Sequence, residues 1–379
     1  MATLSFDAVD IRFRGSLKTS GWTLCIGAGV SIGLLPSWSE LSRKLLNRVV
    51  ALDVSADEFS EMTHRTGWAF DAWIQAALNA HLANGGDLKG FTTLVEEVLY
   101  EDLRQRAAEN ELDDLLLTAF GNPHLLSSDE FRRVLAFLKE GPASVLALSR
   151  VLLEARSREA LPLGIITFNY DTLLETIVRM LQISEHASTL GRHVHPPAFL
   201  KRVTGPSARS DGHIPIYYIH GCLTPSPRTW RGRLVRDSKA SIVGAEASYL
   251  RIASSPFTWP QTVFLHHAQT TSLLILGHSL SDANLRRWLS WATEVRNDEA
   301  KQRRGQESHV VPHVWLRLRG RTEAERRILQ TSVSHLGVRI GWLDSWSDVG
   351  PALQNLLATN RAPLQTVAPE NSLNNDGTD

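Results

Sequence analysis

The chain reads as an α/β protein: an open, mostly parallel Rossmann-like sheet with helices on both faces, plus a large helical insertion. Three observations predict this. Short apolar runs at residues 23–26, 164–167, 216–219 and 272–276 each end in a Gly-, Asn- or Ser-bearing turn, where an α/β sheet presents its ligand-binding edge. Stretches of helical spacing separate these runs, the alternation that builds a parallel sheet. Residues 55–159 carry helical spacing and almost no strand-like alternation.

The first run leads into Gly27, Gly29 and Gly33. Pro36 then sets a turn, and Ser37 or Ser39 is placed to cap a helix bearing Leu41, Leu45, Leu46 and Val49. In the helical stretch the apolar spacing includes Trp68, Trp73 and Ala76, then Leu94, Val98 and Leu103, then Val134, Leu138, Val145 and Leu148. Gly85-Gly86, Asn122-Pro123 and Gly141-Pro142 mark breaks between helices. This stretch is too apolar to be a linker. Many of the eleven Trp, with Trp68, Trp73 and Trp288 among them, fall at such positions and are expected in the core.

The sheet resumes at 164–167, and a helix follows Asp171 with Leu173, Leu174, Ile177 and Val178. Residues 186–214 read as loop and hold His193, His195 and Pro196-Pro197. After strand 216–219 comes a polar, basic stretch, 224–243, with Arg228, Arg231, Arg233, Arg236 and Lys239. That cluster suits phosphate and a solvated loop equally. A helix at 260–269, the strand at 272–276 and a helix from about Asp282 with Leu285, Trp288 and Leu289 follow. A strand at 311–318, a helix at 323–336 and a strand at 339–343 complete the pattern. The chain therefore divides into a discontinuous sheet domain (1–54 and 160–360), a helical insertion (55–159) and a tail (361–379) expected to be disordered.

Hydrophobic residues make up 43% and charged residues 21% of the 379, the balance of an ordinary globular protein. Forty basic residues offset forty acidic ones. That balance argues against a protein that coats a nucleic-acid backbone, and it favours a homo-oligomer, because little charge repulsion keeps copies apart. Cys25 and Cys222 are the only cysteines. They cannot form a four-thiolate zinc site and are expected as buried small side chains. No metal is assigned, since His193 and His195 lack partners at ligand spacing. Residues 1–21 lack a signal-peptide pattern. No apolar run approaches the ~20 residues that span a bilayer, so the expected location is the cytoplasm.

Four motifs carry the candidate chemistry. In Cys25-Ile-Gly-Ala-Gly-Val-Ser31, Gly27 and Gly29 let backbone approach a diphosphate, with the Ala28 region and the Ser31 hydroxyl helping to hold the anion. A dehydrogenase fingerprint is the rival, with Asp53 downstream; Ile32 stands where its third glycine belongs, and Pro36 would break its helix. In Thr167-Phe-Asn-Tyr-Asp171, Asn169 offers an amide for a ribose hydroxyl or a water and Asp171 a carboxylate, or else Asp171 caps the next helix. In Ile219-His-Gly221, His220 is able to accept a proton from a sugar hydroxyl, or to serve the core alone. In Leu276-Gly-His-Ser-Leu-Ser-Asp-Ala-Asn-Leu285, Gly277 and Ser279 suit an adenine ribose, and Asp282 or Ser281 caps the following helix.

Together these motifs resemble the sirtuin superfamily. Pro36-Ser-Trp38-Ser-Glu-Leu41, Tyr170 and the Ser279–Leu285 run resemble its bacterial branch, which hydrolyses NAD in anti-phage defence. The resemblance covers roughly 20–50, 160–224 and 270–345 and implies NAD+ as substrate. Asn169, His220 and Asp171 are then the catalytic residues, and Gly27, Ala28, Gly29, Ser31, Thr167, Gly277, Ser279 and Asp282 the NAD-binding ones. The family's deacylases carry four zinc-binding cysteines between the His-Gly and Gly-x-Ser motifs. Here that interval has Cys222 alone, so zinc and peptide deacylation are not expected. A chain without a fused sensor resembles the subunit that partners a HerA-type hexameric ATPase, with the helical insertion as assembly surface. The alternative is a nucleotide-binding or scaffolding subunit without catalysis.

Overall fold

A computed structural model describes residues 20–141, 143–157, 160–190, 196–206, 212–225, 229–230, 233–234, 242–255, 257–304 and 313–358. The strands are β1 (Trp22–Ile26), β2 (Ile165–Thr167), β3 (Leu200–Val203), β4 (Ile214–Tyr218), β5 (Thr229–Trp230), β6 (Arg233–Leu234), β7 (Ser272–Leu276), β8 (His313–Leu318) and β9 (Val338–Leu343). Seven of them form one parallel sheet in the order β3-β4-β2-β1-β7-β8-β9, and β5 with β6 makes a small antiparallel pair.

The register matters for function. Ile26 at the end of β1 lies opposite Thr167 on β2 and Leu276 on β7, and Thr167 lies opposite Tyr218 on β4. The four motif turns therefore leave one edge of the sheet from four adjacent strands, β4-β2-β1-β7. From β1 the chain proceeds to β2 on one side, and β7 later adds on the other. That reversal is the switch point where open α/β sheets bind ligands.

Strands buried on both faces need continuous apolar runs, and these have them. Leu24, Ile26, Ile165, Ile216, Leu274 and Leu276 enter one core, while Cys25, Ile166, Leu273, Ile275 and Trp315 enter the other. Helices α1 (Trp38–Val50), α2 (Ala56–Thr66), α3 (Phe70–Ala83), α4 (Leu88–Glu109), α5 (Asp113–Gly121), α6 (Ser128–Lys139), α7 (Ala143–Ser157) and α8 (Leu173–Leu190) come first. All of these except α2 contribute buried side chains to the first core. The second core is covered by α9 (Glu246–Ser254), α10 (Trp259–Thr270), α11 (Ala283–Arg304) and α12 (Glu323–Ser334), whereas α13 (Val349–Ala358) returns to the first.

Local chemistry sets several helix starts. Ser37 caps α1 by accepting from the Glu40 amide, and Glu40 accepts from the Ser37 amide in return. The pairs Ser55–Glu58 and Ser127–Glu130 start α2 and α6 in the same way.

Three expectations are corrected. Residues 186–214 are not all loop: α8 runs to Leu190, and β3 pairs with β4. Its Lys201 and Arg202 hid this edge strand, and Arg202 ion-pairs with Glu175 of α8. Trp68 is not core. It lies outside the helices at 55% exposure, with its ring against Trp73, whereas Trp73 and Trp288 are buried. Helices α9 and α13 were not expected at all. His193, His195, Arg228, Arg231, Arg236, Lys239 and the tail lie outside the described residues. Cys25 and Cys222 are buried free thiols, and no described helix is long and apolar enough to cross a membrane.

Candidate functional site

The turn after β1 folds as a short 3-10 turn, Ala28–Val30. The Gly27 amide donates to Leu276 O at 3.0 Å and the Gly29 amide to Gly277 O at 2.8 Å; Val30 and Ser31 donate back within the turn. These amides are thus used by the fold. The glycines meet a packing demand: the β1 and β7 turns touch backbone to backbone. A Cβ on Gly27 would meet Gly277 O at 2.6 Å, and one on Gly277 would meet Val30 N at 2.5 Å. Gly277 is also left-handed, at φ +67°.

Beyond β2, Asn169 turns toward this contact. Its amide donates from Nδ2 to Gly27 O at 3.2 Å, and its backbone N–H donates to Thr167 Oγ1 at 3.1 Å. Asn169 is 5% exposed, yet its Oδ1 is buried with no hydrogen-bond partner among the described residues. Buried acceptors of this kind are costly and uncommon, and they call for an explanation.

Asp171 is buried as well. Its carboxylate accepts from the Leu173 amide, the first of α8, at 3.0 Å and from Ser31 Oγ at 3.3 and 3.4 Å. Burial pushes its pKa up to about 6, against the opposing effect of the Leu173, Ser31 and Asn169 hydrogen bonds. Ser31 thus bridges from the glycine turn to the carboxylate.

After β4 comes His220, buried at 3% exposure, its pKa pushed down to about 4 by burial. Its ring lies edge-on to Phe168 at 5.1 Å, and Phe168 also meets the His278 ring edge-on at 4.8 Å. His278 was quoted in the fourth motif without a role. Its Nδ1 accepts from the Leu280 amide at 3.0 Å, so its proton sits on Nε2, and burial pushes its pKa to about 4 despite Asp282 nearby. Only the pairing of β1 with both β2 and β7 brings it beside Phe168, so sequence spacing gave no sign of it.

Further along the β7 turn, Ser279 is exposed and bonds Ser281. Asp282, not Ser281, caps α11, accepting from the Asn284 and Leu285 amides at 2.8 and 3.1 Å. Gly27, Asn169, Asp171, His220, Gly277 and the adjoining Phe168 and His278 are therefore one contiguous cluster, and Ser279 and Asp282 lie on its rim. The backbone at Val243 is tied to it: Tyr170 Oη donates to Val243 O at 2.9 Å, and the Val243 amide donates to His220 O at 2.7 Å.

A cavity of about 490 Å³ lies elsewhere, between α1, α3 and α4, lined by Arg48, His81, Asn84, Thr93 and Glu97 among others. None of the strand-end side chains reaches it, and its Arg48 is already paired with Glu101, so the strand edge carries the stronger chemical signal. No group of three or more His, Cys, Asp or Glu side chains placed to hold a metal occurs among the described residues.

No curated protein matches the chain. Residues 163–335, which carry the Asn169, His220 and Gly277 turns but not the glycine turn after β1, match the family model described as SIR2-like domain. This match is consistent with an NAD-related activity and supports a place for that part of the chain in the sirtuin-like superfamily.

Proposed function

We propose that the protein is an NAD+ hydrolase, converting NAD+ and water to nicotinamide, ADP-ribose and a proton. The observation that carries the reading is the buried, unpartnered Oδ1 of Asn169, whose side chain hydrogen-bonds the buried Asp171 carboxylate while the buried His220 imidazole packs on the adjacent Phe168, all within the residues that match the SIR2-like domain. An acceptor left empty by the fold suits a ribose hydroxyl or a water.

Breaking the nicotinamide–ribose bond builds positive charge on the sugar, as in glycoside hydrolysis. Nicotinamide leaves as a neutral molecule, so no general acid is needed. Asp171, ionised above about pH 6, supplies negative charge close by. His220, neutral above about pH 4, contributes hydrogen bonding without placing a second cation beside the developing charge. Asn169 orients the sugar and the attacking water. Gly27, Ala28, Gly29, Ser31 and Thr167 form the floor beside them, and Gly277, Ser279 and Asp282 the adenosine side. Because Asn169, Asp171 and His220 are covered, turnover includes an opening step. That cover also favours a second reading, a nucleotide-binding subunit that stays silent or never cleaves.

The biological setting rests on the sequence resemblance: depletion of NAD in anti-phage defence, as a homo-oligomer beside a HerA-type ATPase. Size-exclusion with and without such an ATPase tests the assembly, and a monomer indifferent to it contradicts it. For the chemistry, NAD+ is incubated with the full chain, alone and with the ATPase, and free nicotinamide is measured. Asn169→Ala and His220→Ala are expected to lose on the order of 100-fold or more in turnover with the fold intact. Wild-type turnover in both variants rules the assignment out.

A further inference from the structure

Three side chains from the helices between β1 and β2 reach into the strand-end loops. Ser144 of α7 donates to Val30 O at 2.9 Å, and Arg106 of α4 donates to Leu34 O at 3.1 Å, so both hold the glycine-turn loop. Tyr100 of α4 reaches the other half. Its hydroxyl accepts from the Thr172 amide at 3.1 Å and donates to Leu223 O at 2.8 Å. Thr172 follows Asp171, and Leu223 lies just past the His220-Gly221 turn. Asp171 and Leu223 are themselves bridge partners, with the Leu223 amide donating to Tyr170 O at 2.7 Å.

Packing alone does not ask for this hydroxyl. Tyr100 is 1% exposed with its ring edge-on to Phe120, a setting that Phe would fill as well. A buried hydroxyl is retained at low cost only where donor and acceptor roles are both met. Here both are met by backbone from two different site loops.

We propose that Tyr100 is a positioning residue for the candidate site, its hydroxyl fixing the loop of Asp171 against the loop of His220 and keeping water from the carboxylate. The groups facing Asp171 are Ser31 and Asn169, which hydrogen-bond it, and Tyr100, Tyr218 and Cys222, which feel its charge. All are neutral near pH 6, so burial from water and these hydrogen bonds, not a neighbouring charge, set how Asp171 titrates. Removing the hydroxyl strands the Thr172 amide and the Leu223 carbonyl, which then recruit water.

The kinetic arm of the test rests on the hydrolase reading; the titration arm does not. Full-length wild type, Tyr100→Phe and Leu103→Ala are compared, Leu103 being a fully buried neighbour on the same helix that touches neither loop through a hydrogen bond. The Asp171 carboxyl is followed by carbon NMR, assigned by its loss in Asp171→Asn. In Tyr100→Phe its midpoint is expected to fall from about 6 toward the ordinary aspartate range, while Leu103→Ala lowers thermal stability and leaves the midpoint in place. With NAD+, kcat is expected to drop about tenfold or more with KM little changed. An Asp171 midpoint that stays put in Tyr100→Phe, or one that moves equally in Leu103→Ala, overturns the positioning role. A shifted midpoint in a protein whose wild type never releases nicotinamide upholds Tyr100 and sinks the hydrolase reading instead.

Discussion

The β1/β7 half of the sheet edge and the β2/β4 half differ in how much the fold itself consumes. On the β1/β7 half the special residues, apart from the buried His278 imidazole, serve local structure. Gly27 and Gly277 allow backbone contact, the turn amides are bonded, Ser279 meets Ser281, and Asp282 caps α11. On the β2/β4 half, polar side chains are buried at a cost. Asn169 keeps an empty acceptor, a carboxylate titrates near 6 and an imidazole near 4. A motif rich in glycine explains itself structurally; a buried polar cluster does not, and that asymmetry is the reason the proposed chemistry is assigned to the β2/β4 half.

Substitution should expose the contrast most sharply in stability. Gly277→Ala drives a Cβ into the Val30 amide at a left-handed φ, and is expected to cost about 3 kcal/mol or more, or to prevent folding. Asn169→Ala removes an unsatisfied acceptor along with two donated bonds, so its stability should change by no more than about 1 kcal/mol. Urea denaturation of both variants checks this. Equal losses would erase the distinction between the halves.

The pH dependence separates the buried groups by sign. His220, His267 and His278 have folded pKa values near 4, below the unfolded value, so their contribution to stability is present near neutrality and lost as pH falls from about 6.5 to 4. Asp171 runs the other way. Its raised pKa favours the fold below about pH 4, and this is lost as pH rises toward 6. Relative to wild type, Asp171→Asn should therefore gain on the order of 2 kcal/mol between pH 4 and pH 7. Thermal melts across that range test it, and a pH-independent difference would show that Asp171 titrates normally. Activity should also rise with pH through about 6 in wild type.

Much of the fold was legible because its signals are local. Strand 272–276 is found where its apolar run lies, and Ser37 caps α1 three residues before Glu40. β3 was hidden because an edge strand of four residues with two cations has no apolar alternation, and it is recognised only through its pairing with β4. Asn169, Asp171 and His220 were legible as strand-end residues. His278 and Tyr100 were not, since each joins the cluster only through strand pairing or a contact from a distant helix. The packing role of Gly27 was not legible for the same reason: its neighbour in space is Gly277, 250 positions away.

The smallest effect concerns the rim. Asp282→Ala removes the α11 cap and should cost about 1 kcal/mol. If Asp282 also meets the adenosine half, KM for NAD+ rises severalfold in the same variant, while an unchanged KM confines it to capping.

Calorimetric titration of ADP-ribose into wild type and Asn169→Ala tests the central claim most directly, because it requires no turnover. Binding by the wild type and at least tenfold weaker binding by Asn169→Ala are predicted, the loss of one well-placed buried hydrogen bond. Equal affinity in the two proteins would mean that the empty acceptor of Asn169 faces no sugar, contradicting the account.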